Sequence, residues 1–197
     1  MNPSEFMHLL EEYTQREGLF DLKIKGETIN NFDFSSFYLG GTEFCLNRFN
    51  HCVFHTTRLT YTNFSSNFFY NCSFNQNDIL KSTWDYVHFI RSTITSMNAT
   101  KVECINIVMR GCEVSDSSFT RCIFDAILEK WMREENMETG HLSKTVFRNC
   151  KFVLCSFKDC VFDSVEFIEC VFIDTDIDTT NSGVRFTDCK FGTIISN

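Results

Sequence analysis

A beat of five residues constrains this chain more than any other feature. Ile24, Ile29, Phe34, Leu39, Phe44 and Phe49 open a series that continues in steps of five to Phe124. Its 21 positions are all apolar, Trp84, Ala99 and Cys104 among them. A second tract runs through Phe147, Phe152, Phe157, Phe162, Phe167, Phe172 and Ile177. After a slip of one residue, Phe186 and Phe191 extend it, so that 18 of the 23 phenylalanines lie on the lattice. A period of five fits neither a helix at 3.6 nor a flat strand at 2.0. It fits a chain that turns a corner every five residues and buries one large side chain on each side.

The positions two before each lattice residue carry a second signal. Nine of the 11 cysteines occupy them, namely Cys52, Cys72, Cys112, Cys122, Cys150, Cys155, Cys160, Cys170 and Cys189, among Thr, Ser, Asn and Val. Small and large residues two apart point the same way from a short strand. The other three positions of each five are mostly polar and are expected to face solvent. Segments such as FRNCKFVLCSFKDCVF, residues 147–162, thereby resemble the pentapeptide-repeat family, over roughly residues 22–193. The resemblance implies an all-β fold, a right-handed quadrilateral β-helix with four pentapeptides in each 20-residue coil. Residues 20 apart are then expected to stack: Cys52 over Cys72, Asn47 over Asn67, Cys150 over Cys170.

A stacked solenoid exposes a raw sheet edge at each end. Residues 1–18 read as an N-terminal capping helix. Asn2 is placed as N-cap, Pro3 at the first helical position, Glu5 in a capping box, and Phe6, Leu9, Leu10 and Tyr13 on the apolar stripe. The β-helix then spans 19–193, with 194–197 as a tail. The ending GTIISN is too short for a second capping helix, so either the tail folds over the last coil or that end meets a second copy as a homodimer. Between Phe124 and Phe147 the spacing of 23 breaks the beat. Residues 125–146 therefore read as a helical insertion, in which Asp125 caps and Ile127, Leu128, Trp131 and Met132 share a face. It either packs on the rod wall or forms a partner-binding arm through Trp131, Met132, Glu134 and Glu135.

The formal charge of −8, from 18 basic and 26 acidic residues, argues against direct nucleic-acid binding by phosphate neutralisation. No apolar run is long enough to span a membrane, and no secretory signal is visible, so a cytoplasmic protein is expected. No Cys-x2-Cys pair, HExxH, P-loop or nucleophile elbow occurs; His51, His55 and His88 face outward on separate coils or faces. No metal, cofactor or catalytic residue is expected, and the thiols are expected to be reduced, with Cys45 as the exposed one. One charged segment remains. Between residues 159 and 188 lie eight carboxylates (Asp159, Asp163, Glu166, Glu169, Asp174, Asp176, Asp178 and Asp188) against Arg185, a net −7. It reads either as a solubilising face or as an acidic stripe aimed at a basic partner. The family's quinolone-resistance and microcin-immunity members are acidic rods that act on DNA gyrase. The resemblance therefore implies a DNA-mimicking modulator of gyrase or topoisomerase IV. The alternative is an interaction scaffold, or a secreted bacterial effector, that works through 125–146.

Overall fold

A computed structural model describes residues 3–15, 22–35, 37–126 and 144–194. Its 26 short strands form four parallel sheets of 7, 8, 7 and 4 strands, the four faces of a solenoid. The first face runs from Lys23–Lys25 to Val161–Phe162 and the second from Thr28–Asn30 to Val184–Thr187. The third runs from Val53–His55 to Lys190–Gly192 and the fourth from Asp78–Leu80 to Ser156–Lys158. Register follows the 20-residue coil: Phe44 lies opposite Phe64, Phe49 opposite Phe69 and Phe54 opposite Phe74.

The corner is made by the backbone. Two residues after most lattice positions the chain enters the left-handed region, in 23 non-glycine residues among those described, with φ between 44° and 58°. Gly26, Gly41 and Gly111 occupy equivalent places. This conformation costs an L-residue roughly 1–2 kcal/mol, most for a β-branched one. Correspondingly the corners hold Asn, Ser, Asp, Lys, Arg and the like, and Thr56 is the only β-branched residue among them.

Inside, phenylalanine rings stack coil on coil. Phe44 and Phe64 are 4.8 Å apart at 6°, and Phe54 and Phe74 are 4.6 Å apart at 2°. Neighbouring columns meet edge to face, as Phe49 and Phe54 do at 72°, the geometry that ring quadrupoles favour. Where the lattice reads Ile94, Ala99, Cys104, Met109 and Val114, the rings give way to smaller side chains. An enclosed apolar cavity of about 30 Å³ remains there beside Trp84.

The small residues two before the lattice do more than fit. Most direct a donor at a lattice carbonyl one coil earlier: Asn67 Nδ2 to Phe44 O at 2.7 Å, Ser82 Oγ to Leu59 O at 2.6 Å, Cys72 Sγ to Phe49 O at 3.3 Å. The same side chains accept backbone N–H groups, as Asn67 Oδ1 does from Asn47 at 3.0 Å and Ser82 Oγ from Thr62 at 3.0 Å. Cysteine, serine, threonine and asparagine are thus interchangeable satisfiers of buried backbone groups.

Two irregularities are absorbed without loss of register. Across the insertion the offset becomes 38, with Val108 opposite Val146. In the last coil it becomes 19, with Phe167 opposite Phe186. The missing residue is lost where Gly183 crosses the Phe162 carbonyl so closely that a Cβ would collide with it.

The helix Pro3–Gln15 covers the first coil. Phe6, Leu10 and Tyr13 are buried, Phe6 meets Phe32 at 5.1 Å, and the Tyr13 hydroxyl donates to Gly40 O at 2.8 Å. Asn2 and Gly18 lie outside the described residues. At the other end no described residue covers the rod, and Phe191 and Ile194 are 52% and 53% exposed.

Candidate interaction surfaces

The eight carboxylates all face outward, and the coil distributes them around the rod rather than along it. Asp163 follows the last strand of the first face, Glu166 lies in the second, and Asp176 bridges to Ser156 on the fourth. Asp159, Glu169, Asp174 and Asp188 occupy left-handed corners. The expected stripe is therefore a collar at the C-terminal end, because thirty consecutive residues wind about one and a half times around the axis.

Local hydrogen bonds hold several of these groups. Asp178 Oδ1 accepts from the Thr180 hydroxyl and N–H at 2.7 and 2.9 Å, and both bonds keep its carboxyl below the usual range. Asp174 Oδ2 accepts from Ile194 N at 2.8 Å, and Asp163 Oδ1 from Ser164 Oγ at 3.0 Å. Within the collar only Glu166 has an ion pair among the described residues, with Lys144 Nζ at 3.1 Å. Lys144 and Arg185 also line a notch with Asp163 and Glu166, where the insertion leaves the rod. Trp131, Met132, Glu134 and Glu135 lie outside the described residues. Of the insertion's expected features only Asp125 is seen, its Oδ1 accepting the Ala126 N–H at 2.6 Å.

All eleven cysteines are free. Cys112, Cys150, Cys170 and Cys189 stack in one column, and the Cys150 thiol donating to Cys170 lowers the latter to about 7. Burial pushes Cys104 and Cys155 up. Cys45 was expected to be the exposed thiol, but it shares intermediate exposure with Cys160 and Cys189. Those two directly precede Val161–Phe162 and Lys190–Gly192, the last described strands of the first and third faces. No cluster of three or more potential metal ligands occurs among the described residues.

A second surface was not apparent from the sequence. On the second face, Arg48, Phe68 and His88 follow one another in register. The Arg48 guanidinium lies 5.7 Å above the Phe68 ring, and Phe68 and His88 are 4.6 Å apart. Beside them Tyr70 accepts from Arg91 Nη1 at 3.5 Å and meets His51 edge-on at 6.4 Å. Burial and the nearby Arg110 lower the His88 pKa. A shallow depression of about 230 Å³ is lined by Arg48, Asn50, Phe68, Phe69, Tyr70 and Ile90. Reading outward positions 20 apart, rather than along the chain, would have found this set.

No protein-family model and no curated protein matches the chain. Among solved structures it is similar to HetL, a pentapeptide-repeat protein involved in heterocyst differentiation regulation from the cyanobacterium Nostoc sp. strain PCC 7120. Identity is 9%, coverage 96% of this chain and 94% of that one, and the TM-score 0.49. It is also similar to full-length QnrB1, a plasmid-mediated fluoroquinolone resistance protein, at 14% identity, with 86% and 93% coverage and a TM-score of 0.39. The solenoid assignment itself rests on the chain's own register, and no helix among the described residues is long and apolar enough to cross a membrane.

Proposed function

We propose that this chain is a non-enzymatic, protein-binding rod whose acidic C-terminal collar engages a basic surface built to hold DNA. Charge density carries the reading. A net −7 over about one and a half coils, roughly 7 Å at β spacing, gives about one charge per Å. Duplex DNA carries about one per 1.7 Å. A rigid scaffold presenting that density in every direction around its end is attractive to a phosphate-binding saddle, and the attraction weakens with salt. The repeat's resemblance to quinolone-resistance and microcin-immunity proteins makes gyrase or topoisomerase IV the specific target. The collar residues that carry it are Asp163, Glu166, Glu169, Asp174, Asp176 and Asp178.

The test is a gyrase supercoiling assay with this protein titrated in, with and without a quinolone. Inhibition or drug protection that disappears in D163N/E166Q/D174N/D176N supports the reading. An unchanged assay with the folded protein, or equal activity of the neutralised variant, refutes it.

The uncovered Phe191 end extends the proposal to a homodimer through the C-terminal ends. Two collars repel, so such a dimer strengthens with salt, and sedimentation at two ionic strengths reads the sign. A second reading, a scaffold acting through 125–146, is favoured by one observation. The ladder passes the insertion in register, so the fold does not need those residues. Trp131→Ala abolishing partner capture, with little salt dependence, distinguishes it.

A further inference from the structure

We infer that the second face, centred on Phe68, Tyr70, Arg91 and Arg110, is a docking surface for an extended acidic segment of a partner protein. Acidic residues outnumber basic ones in the chain by 26 to 18. Yet from Thr28 to Asn149 the outward positions of this face and its two bounding corners hold no carboxylate. They hold four exposed arginines, Arg48, Arg91, Arg110 and Arg148, none of them ion-paired among the described residues.

Two of these cations stand in an arrangement that a free protein gains nothing from. Arg110 lies directly opposite Arg148 in the parallel ladder. Like charges opposed across strands are destabilising, and a bound anion reverses the sign. Arg48 and Arg91 are already oriented, by the Phe68 ring and the Tyr70 hydroxyl, which lowers the ordering cost of binding.

The apolar part defines the class of partner. Phe68 and Tyr70 are 39% and 37% exposed, with Tyr86 and Leu46 on the adjoining corner at 39% and 55%. Aromatic residues and arginine with few carboxylates form the composition of a protein-binding patch. Nucleic-acid bases would need open ring faces for stacking. Here Arg48 and His88 cover the Phe68 ring from neighbouring coils, so its electropositive edge is what faces outward. Edges suit carboxylates and aliphatic side chains. From Arg48 to Arg148 is four coil steps, roughly 19 Å, or about six residues of extended chain.

The experiment is fluorescence anisotropy with a labelled glutamate-rich dodecapeptide carrying two leucines. Wild type, R91E/R110E and R91K/R110K are compared, each checked for its fold by circular dichroism. Saturable binding at low salt is expected, weakened about tenfold or more by charge reversal and retained by the lysine pair. Absence of saturable binding, or equal binding by the reversed variant, overturns the inference. So does a twelve-nucleotide thymidine strand that binds more tightly and displaces the peptide. Salt-sensitive self-association abolished by R91E/R110E would instead assign the face to a second copy. The collar variants of the preceding section leave this binding unchanged, so the two readings fail separately.

Discussion

Asn67 offers a measurement of what holds one coil to the next. The side chain is fully buried and makes four hydrogen bonds. Truncation to alanine orphans the Asn47 N–H, whose acceptor at 3.0 Å is Asn67 Oδ1. The Asn47 amide keeps its 2.7 Å bond to Ile24 O, and the Phe44 carbonyl keeps its place in the parallel ladder. One orphaned buried donor costs about 1–3 kcal/mol, and three lost secondary bonds add about 0.5 kcal/mol each. Asn67→Ala is therefore expected to destabilise by about 3 kcal/mol. Asn67→Ser, whose side chain is nearly equal in volume to alanine's, restores the acceptor and a donor, as Ser82 does in the adjacent column with Thr62 N and Leu59 O. Its cost is expected near 1 kcal/mol. Urea unfolding followed by circular dichroism, at a common m-value, reads both. If alanine and serine cost the same within about 0.5 kcal/mol, side-chain satisfaction of the corners is not what joins the coils.

Three further outcomes follow from the same architecture. Leu154 is left-handed at φ 52° and 48% exposed, so Leu154→Asn is expected to stabilise by about 1 kcal/mol in the same urea assay. Phe157 stacks on Phe119 at 4.9 Å, and Phe157→Ala is expected to cost about 3–5 kcal/mol while Lys158→Ala is nearly silent; equal costs would refute the inward register. His88 has a lowered pKa in the fold, so between that value and its ordinary one the unfolded chain binds more protons. Stability conferred by neutral His88 is present above pH 6.5 and lost as pH falls below it, a slope that His88→Gln should flatten in thermal melts at stepped pH.

The inward lattice was legible because every fifth residue has the same environment, and a repeated environment selects a repeated residue type. Even the slip at the last coil could be read, since Phe186 and Phe191 shift together and the structure pairs them with Phe167 and Phe172. The donors at Cys72, Ser82 and Asn67 were legible as small residues but not as hydrogen-bonding ones, because smallness alone accounts for their burial. Left-handed corners left only a faint trace, the near absence of β-branched residues at those positions. Outward surfaces were the hardest. Charges close in sequence, from Asp159 to Asp188, are carried around the perimeter, whereas a surface running along the axis is assembled from residues such as Arg48, Phe68 and His88. Eyes that follow the chain see the first kind and miss the second. Cys160 and Cys189 were misjudged for a related reason, since the beat of five does not say which described strand is the last of its face.

The 20-residue register, kept without a break from Lys23 to Asp125, makes the rod a ruler. Removing residues 93–112 would join Ser92 to Glu113, each already in its proper place, and delete one complete coil. Nothing would rotate, because the excised length is one whole circuit of the four faces. The helix-covered end and the acidic collar would approach each other by a single strand spacing, about 4.8 Å, with their angular relation unchanged. Two partners held at the two ends would be brought closer in fixed increments. Deleting five residues would instead swing the collar a quarter turn relative to the helix, so reach and bearing can be set independently in this scaffold.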